Sequence, residues 1–309
     1  MHHLTYPEAI VIGLLQGVTE LFPVSSLGHS VLLPALAGGR WARDLDVSAP
    51  ESPYLAFVVG LHVATALALL AYFWRDWVRI VTGLVTSIRH RSVTSSDQRL
   101  GWLIVLATIP VGLTGLALEH TFRTTLGKPI PAAVFLVLNG VLLLGAERLR
   151  RRAPADGPVP VMDGPSAGGV AVVAPPADPD VRLARMGIAK ALTIGAAQCL
   201  ALLPGISRSG VAMGAGLLRG LSHEDAARFS FLLATPVIFA AGLLKVPDLL
   251  GPLGDGIRGQ VLVGSAASGI SAFLAVRFLT RYFETRTLTP FAIYCLIAGA
   301  ASLAWLTLA

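Results

Sequence analysis

Residues 16–29 read Gln16-Gly-Val-Thr-Glu20-Leu-Phe-Pro23-Val-Ser25-Ser26-Leu-Gly28-His29, and a second stretch near the other end of the chain answers it: Gln198-Cys-Leu-Ala-Leu-Leu-Pro204-Gly205-Ile-Ser207-Arg208-Ser209-Gly210. Each interrupts an apolar run with a Pro-x-x-Ser break. Proline ends a helix and the serine after it can start another, so each stretch predicts two half-helices around a turn. Such breaks survive at membrane depth only where protein or a water-filled cavity satisfies the exposed backbone. Two re-entrant hairpins are therefore expected, at about 8–36 and about 187–221.

The rest of the chain agrees with a membrane setting. Of 309 residues, 54% are hydrophobic and 14% are charged, whereas a soluble domain carries about a quarter charged residues. Six further segments, near 54–73, 102–118, 130–147, 228–246, 259–278 and 289–308, are apolar over the length of roughly 20 residues that a bilayer needs. The net charge of +6 sits in loops between apolar blocks, as membrane orientation requires, and argues against nucleic acid as a partner. Arg75, Arg79, Arg89, Arg91 and Arg99, the run Arg148 to Arg152, and Arg277, Arg281 and Arg286 fall on one side if 54–73 runs inward. That side is then cytoplasmic and both termini are outside. In the first basic loop Trp77, Ile80, Val81, Leu84, Val85 and Ile88 recur at helical spacing. They fit either an amphipathic helix on the inner leaflet or a cytoplasmic extension of the preceding span. Cys199 and Cys295 stand singly and imply no disulfide or thiolate site. The opening residues lack a basic n-region, so no cleavable signal is expected.

The chain also repeats itself. Gly13-Leu-Leu-Gln16 matches Gly195-Ala-Ala-Gln198, and Leu106-Ala-Thr-Ile-Pro110-Val resembles Leu233-Ala-Thr-Pro236-Val. One hairpin and three spans per copy is an odd count, so the second copy sits upside down. The expected fold is all-α and integral to the membrane: six transmembrane helices plus two re-entrant helical hairpins in an inverted-topology repeat. Residues 1–152 form the first repeat and 187–309 the second. Residues 153–186, rich in Pro, Gly, Ala and Asp at their start, are expected to be a disordered cytoplasmic linker.

Ionisable groups at membrane depth are functional by default, and here they concentrate at the two breaks. Ser25 or Ser26 caps one half-helix, while Ser207, Arg208 and Ser209 hold the same place before the other. Two helix N-termini and an arginine fork aimed into one cavity suit phosphate. Glu20, a turn beyond Gln16, and His29, three residues after Ser26, add an acid and a histidine that phosphate binding alone does not need. Phosphoryl chemistry is the expectation. His62 and Asn139, alone within spans, read as interhelical hydrogen-bonders.

With these residues in view the chain resembles a known family. Gln16-x-x-x-Glu20 with Phe22-Pro-Val-Ser-Ser26-x-Gly-His29, and Pro204-Gly-Ile-Ser-Arg208-Ser-Gly210, look like the two signature motifs of the undecaprenyl-diphosphate phosphatases, also called bacitracin-resistance proteins. The likeness continues through Gly216-Leu-Leu-Arg219-Gly-Leu-Ser and Phe229-Ser-Phe-Leu-Leu-Ala-Thr-Pro236. The resemblance implies hydrolysis of a C55 polyprenyl diphosphate to its monophosphate, in a bacterial inner membrane, with the site open to the outer face. It implies Glu20, Ser26, His29 and Arg208 as catalytic residues, and a divalent cation, Mg2+ or Ca2+, with Glu20 as its ligand. Gln16, Ser25, Gly205, Ser207 and Ser209 are the expected substrate-binding set. Where the family's first motif begins with Glu or Gln this chain has Gln16, which can act neither as base nor as charged ligand, so those duties rest on Glu20. Ser26, or a water it holds, is the expected nucleophile. The expected partners are the polyprenyl diphosphate, the membrane and a second copy of the chain. The rival from another class is a transporter or flippase for a phosphorylated lipid, because broken helices in inverted repeats are transporter architecture.

Overall fold

The computed structural model describes residues 4–45, 53–152, 178–251 and 255–308, and the described residues are helical with no strand among them. The helices are α1 (Tyr6–Leu21), α2 (Ser26–Ala37), α3 (Gly39–Asp44), α4 (Pro53–Tyr72), α5 (Trp74–His90), α6 (Ser96–Leu126), α7 (Pro129–Arg152), α8 (Pro179–Ala184), α9 (Ile188–Ala197), α10 (Arg208–Leu218), α11 (His223–Leu250), α12 (Arg258–Thr285) and α13 (Thr289–Leu308); a 3-10 turn, Gln198–Leu202, extends α9. Among the described residues five helices are long and apolar enough to cross a bilayer, six if the bent pair α4–α5 counts as one. Their outward faces carry Leu116, Leu262, Ile297 and Leu308 well exposed. Lipid, not water, is the solvent for such a surface.

Small residues bring the helices together. On α1, Gly13 lies against the Gly264 backbone of α12, and Gly17 against Ser268 and Ser271. A Cβ at either would collide with α12, which is the small-xxx-small logic of membrane helix pairs. Gly195 of α9 meets the Ala107 backbone of α6, and Gly140 of α7 meets Ala292 of α13. Gly17 packs halfway along the 28-residue α12, so Glu20, one turn further on, lies near mid-depth.

Both breaks form where the prolines predict them. α1 opens on a capping box between Thr5 and Glu8 and stops at Phe22, whose extended ψ of 143° is what a residue before proline adopts. Phe22 is clamped between Phe278, stacked at 5.9 Å, and Phe291, edge-on at 5.4 Å.

α5 meets α4 at 86°, which removes the straight extension of the preceding span and leaves a helix lying across the bundle. Its face is divided. Ile80 is buried with Trp77 and Leu84 packed beside it, whereas Val81, Val85 and Ile88 point outward with Trp74 and Val78.

The three basic runs gather at one end of the bundle. Asp180 of α8 is buried and accepts from Arg79 of α5 and Arg228 of α11, both at 2.7 Å; Arg182 binds Asp225 of α11 at 2.7 Å. At the start of α11, His223 bonds Glu147 of α7 at 2.7 Å, and Glu147 accepts from the Leu288 amide after α12 at 2.7 Å. These bonds correct one expectation. Residues 153–177 of the expected linker lie outside the described residues, but 178–186 are not a disordered tether: Asp178 caps α8 and Asp180 gives two arginines a shared acid.

Candidate active site

Glu20 ends α1 with its side chain against the second break. Arg208 Nη2 donates to Glu20 Oε1 at 2.7 Å. Ser26, the first residue of α2, donates its hydroxyl to Glu20 Oε2, and Gln16 Nε2 donates to the same oxygen at 3.1 Å. One carboxylate thus joins an arginine from the second break to a serine from the first. Glu20 and Ser26 are buried, and the Arg208 side chain is 12% exposed. Charge-assisted bonds of this kind, partly desolvated, hold their groups in fixed geometry. Arg208 Nη1 and Gln16 Oε1 are buried and make no hydrogen bond among the described residues.

The two breaks are laced together around this centre. Ser25, not Ser26, is the N-cap of α2: its Oγ accepts from Gly28 N, and also from Gly205 N across in the second break, each at 3.2 Å. Holding that position puts Ser25 at φ +70°, a region non-glycine residues seldom occupy outside constrained sites. Ser207 caps α10 by accepting from Gly210 N at 3.2 Å. Its hydroxyl lies 3.0 Å from that of Ser209, which donates to Phe22 O at 3.2 Å. Asn139 of α7, fully buried, spans both breaks: its Oδ1 accepts from Ser207 N and its Nδ2 donates to Pro23 O, each at 3.0 Å. Gly28 faces Gly205 so closely that a Cβ would come within 2.9 Å of the Gly205 Cα.

Of the four expected catalytic residues, the structure brings Glu20, Ser26 and Arg208 into direct contact. His29 stands one turn along α2. Its Nδ1 faces the Ser25 carbonyl at 2.7 Å and so carries the proton; Nε2 then accepts from Tyr294 Oη at 2.7 Å. Among the substrate-binding expectations, Gln16 supports Glu20, while Ser25, Gly205, Ser207 and Ser209 form hydrogen bonds that join the breaks.

One residue assigned no chemistry from sequence belongs here. His62 of α4 places Nε2 3.4 Å from Glu20 Oε2 while Nδ1 lies 2.8 Å from Val58 O. Both nitrogens face acceptors, which a doubly protonated ring satisfies. A histidine inside a span was the available signal; that its helix packs beside Glu20 was not readable. Asn139 proves interhelical as expected, with the added role of bridging the breaks.

The donor set does not make a cage for a divalent cation. Among the described residues no three His, Cys, Asp or Glu side chains converge. Glu20 is the single carboxylate of the constellation, and Arg208, Ser26 and Gln16 already bind its oxygens.

A buried helical membrane site of arginine, carboxylate and hydroxyl at two joined helix breaks defines a class: polytopic membrane proteins that handle a phosphorylated group. The comparisons narrow it. The family described as "Bacitracin resistance protein BacA" matches residues 9–301, and the chain belongs to that family. It is 66% identical over 306 residues to the undecaprenyl-diphosphatase of Mycolicibacterium paratuberculosis, covering 99% of each chain. It is 54% identical to undecaprenyl-diphosphatase 1 of Frankia casuarinae, over 97% of this chain and 98% of that one. The Granulibacter bethesdensis undecaprenyl-diphosphatase is 43% identical over 97% of this chain and 96% of its own length.

Proposed function

We propose that this protein hydrolyses undecaprenyl diphosphate to the monophosphate and inorganic phosphate, returning the lipid carrier to cell-wall synthesis and thereby conferring bacitracin resistance. The observation that carries this reading is Glu20, the one carboxylate on which Ser26 and Arg208 converge from separate breaks. A hydroxyl bonded to a carboxylate is a nucleophile beside its base. Arg208 keeps Nη1 for phosphate oxygens while Nη2 holds Glu20 in place. In the proposed reaction Ser26 Oγ, or a water held there, attacks the terminal phosphorus as Glu20 takes its proton. The bridging P–O bond breaks and the lipid monophosphate leaves. On the serine route, water then releases phosphate from the phosphoserine. Arg208 neutralises charge on the transferring group. His29 holds the start of α2 through the Ser25 carbonyl and accepts from Tyr294 at its other nitrogen, which leaves Nε2 as a proton acceptor one turn from Ser26. A Mg2+ or Ca2+ carried by the diphosphate would find Glu20 as the carboxylate of this site and would help neutralise charge on the phosphates.

The helix pairing supports the inverted repeat. α1 packs on α12 as α9 packs on α6, α7 pairs with α13, and α4 with α11, so exchanging the halves maps the pairs onto each other. Under this correspondence the likeness between Leu106–Val111 and Leu233–Val237 falls on non-equivalent helices. The basic end is cytoplasmic by the positive-inside rule, and the α1–α2 hairpin, entering from the opposite end, gives the site its outward access.

Proteoliposomes loaded with a long-chain polyprenyl diphosphate separate this reading from a flippase. Phosphate release matched by monophosphate lipid supports the phosphatase. Movement of intact diphosphate between leaflets without release would replace it with transport.

A further inference from the structure

A groove of about 660 Å³ lies at the basic end, between the α5–α6 turn and the start of α9. It shares no residue with the Glu20 site and stands one α9 length from the second break, about 15 Å at 1.5 Å per residue. Arg99 and Arg185 line it together with Ser96, in the first turn of α6, and Trp102, Leu106 and Ile188 supply apolar wall. Both arginines are exposed. Arg99 reaches only the Met186 carbonyl, at 3.4 Å, and Arg185 has no side-chain hydrogen bond or ion pair among the described residues. Of the nearby acids among the described residues, Asp180 and Asp76 hold Arg79 and Arg228, and Asp97 lies against Gly83 of α5, within reach of the Arg79 charge. Among the described residues, the groove's lining carries these two positive charges and no acid.

We propose that it binds the headgroup phosphate of an anionic phospholipid from the leaflet at this end of the bundle. Two guanidinium forks and a helix start suit a phosphate, and the wall of Trp102, Leu106 and Ile188 suits the chain below it. α5 places the groove at the lipid surface. The helix turns 86° from α4 and shows three sides: Ile80 and Gly83 buried in the bundle, Arg75, Arg79 and Arg89 on the polar side, and Trp74, Val78, Val81, Val85 and Ile88 outward between them. A helix so divided lies in the interfacial plane with its outward line in the acyl region. The adjoining groove then opens at headgroup level, where basic side chains recruit anionic lipid.

Native mass spectrometry of the full-length protein in neutral detergent, titrated with phosphatidylglycerol, phosphatidylcholine or glycerol phosphate, tests this. The wild type should take up one phosphatidylglycerol at about thirtyfold lower concentration than the Arg99→Gln/Arg185→Gln double variant. Phosphatidylcholine should show no such difference, and glycerol phosphate should not compete. Arg185→Glu, at a position that makes no side-chain bond to lose, should weaken phosphatidylglycerol alone. All variants should release phosphate at the wild-type rate. Equal phosphatidylglycerol uptake by wild type and both variants would overturn the proposal. Full competition by glycerol phosphate would overturn the lipid assignment in favour of a plain phosphate site, and failure of the wild type to bind phosphatidylglycerol would overturn it as well.

Discussion

Replacing Asn139 by leucine keeps the branched outline of the side chain, at a larger volume, and removes its amide. In the native fold that amide accepts from Ser207 N and donates to Pro23 O, each at 3.0 Å, at a position with no solvent exposure. The variant leaves one backbone donor and one backbone acceptor buried without those partners. Each orphan costs about 1–3 kcal/mol. Interhelical hydrogen bonds in bilayers average nearer 0.6 kcal/mol, because the unfolded chain in the membrane finds other partners. The expected loss therefore lies at the low end, about 2 kcal/mol for the two groups together. The effect on turnover should exceed the effect on stability. Ser207 precedes Arg208 and Pro23 lies between Glu20 and Ser26, so loosening either break moves the arginine relative to its carboxylate and hydroxyl. A displacement of about 1 Å costs on the order of a hundredfold in rate. Phosphate release and the unfolding midpoint, measured in one detergent, give both numbers. An Asn139→Leu protein that turns over at the wild-type rate with an unchanged midpoint would show that the amide does not hold the breaks in register.

Three further outcomes follow from the same geometry. His62→Leu, which removes the ring beside Glu20, should lower kcat by about tenfold to a hundredfold with little change in unfolding midpoint, and an unchanged kcat would reduce His62 to a helix contact. Gly28→Ala sets a methyl against the Gly205 backbone and should destabilise by about 1–3 kcal/mol while slowing phosphate release; a neutral result would mean the breaks separate freely. Asp180→Asn removes the shared acid of Arg79 and Arg228. With Asp76 still near both arginines, the loss should be close to the lower figure for a broken buried pair, about 3 kcal/mol, with kcat of the folded protein preserved. A fall in kcat without a fall in stability would tie α8 to the chemistry instead.

Much of this was legible from the residues. Pro23 and Pro204 announce the breaks because proline cannot continue a helix, and long apolar runs announce the spans. Glu20, Ser26 and Arg208 stood out as polar groups in apolar surroundings, and the structure joins them. What sequence could not show depends on pairing between distant helices. His62 approaches Glu20 because α4 runs beside α1, and no local pattern encodes which face of α4 that is. The serines carried the opposite ambiguity: a hydroxyl before a half-helix suits a ligand as well as a cap, and the backbone decided for capping at Ser25 and Ser207. Residues 178–186 resembled the Pro- and Ala-rich stretch before them, yet Asp180 is held by arginines about 50 and 100 positions away along the chain.

The most direct test of a single phosphatase site built from both breaks is phosphate release from a long-chain polyprenyl diphosphate by purified wild type, Glu20→Gln and Arg208→Ala, each with and without Mg2+. Release by the wild type and its loss in both variants is the predicted result. An Arg208→Ala protein that still releases phosphate at the wild-type rate, or a folded wild type that releases none in either condition, would contradict it.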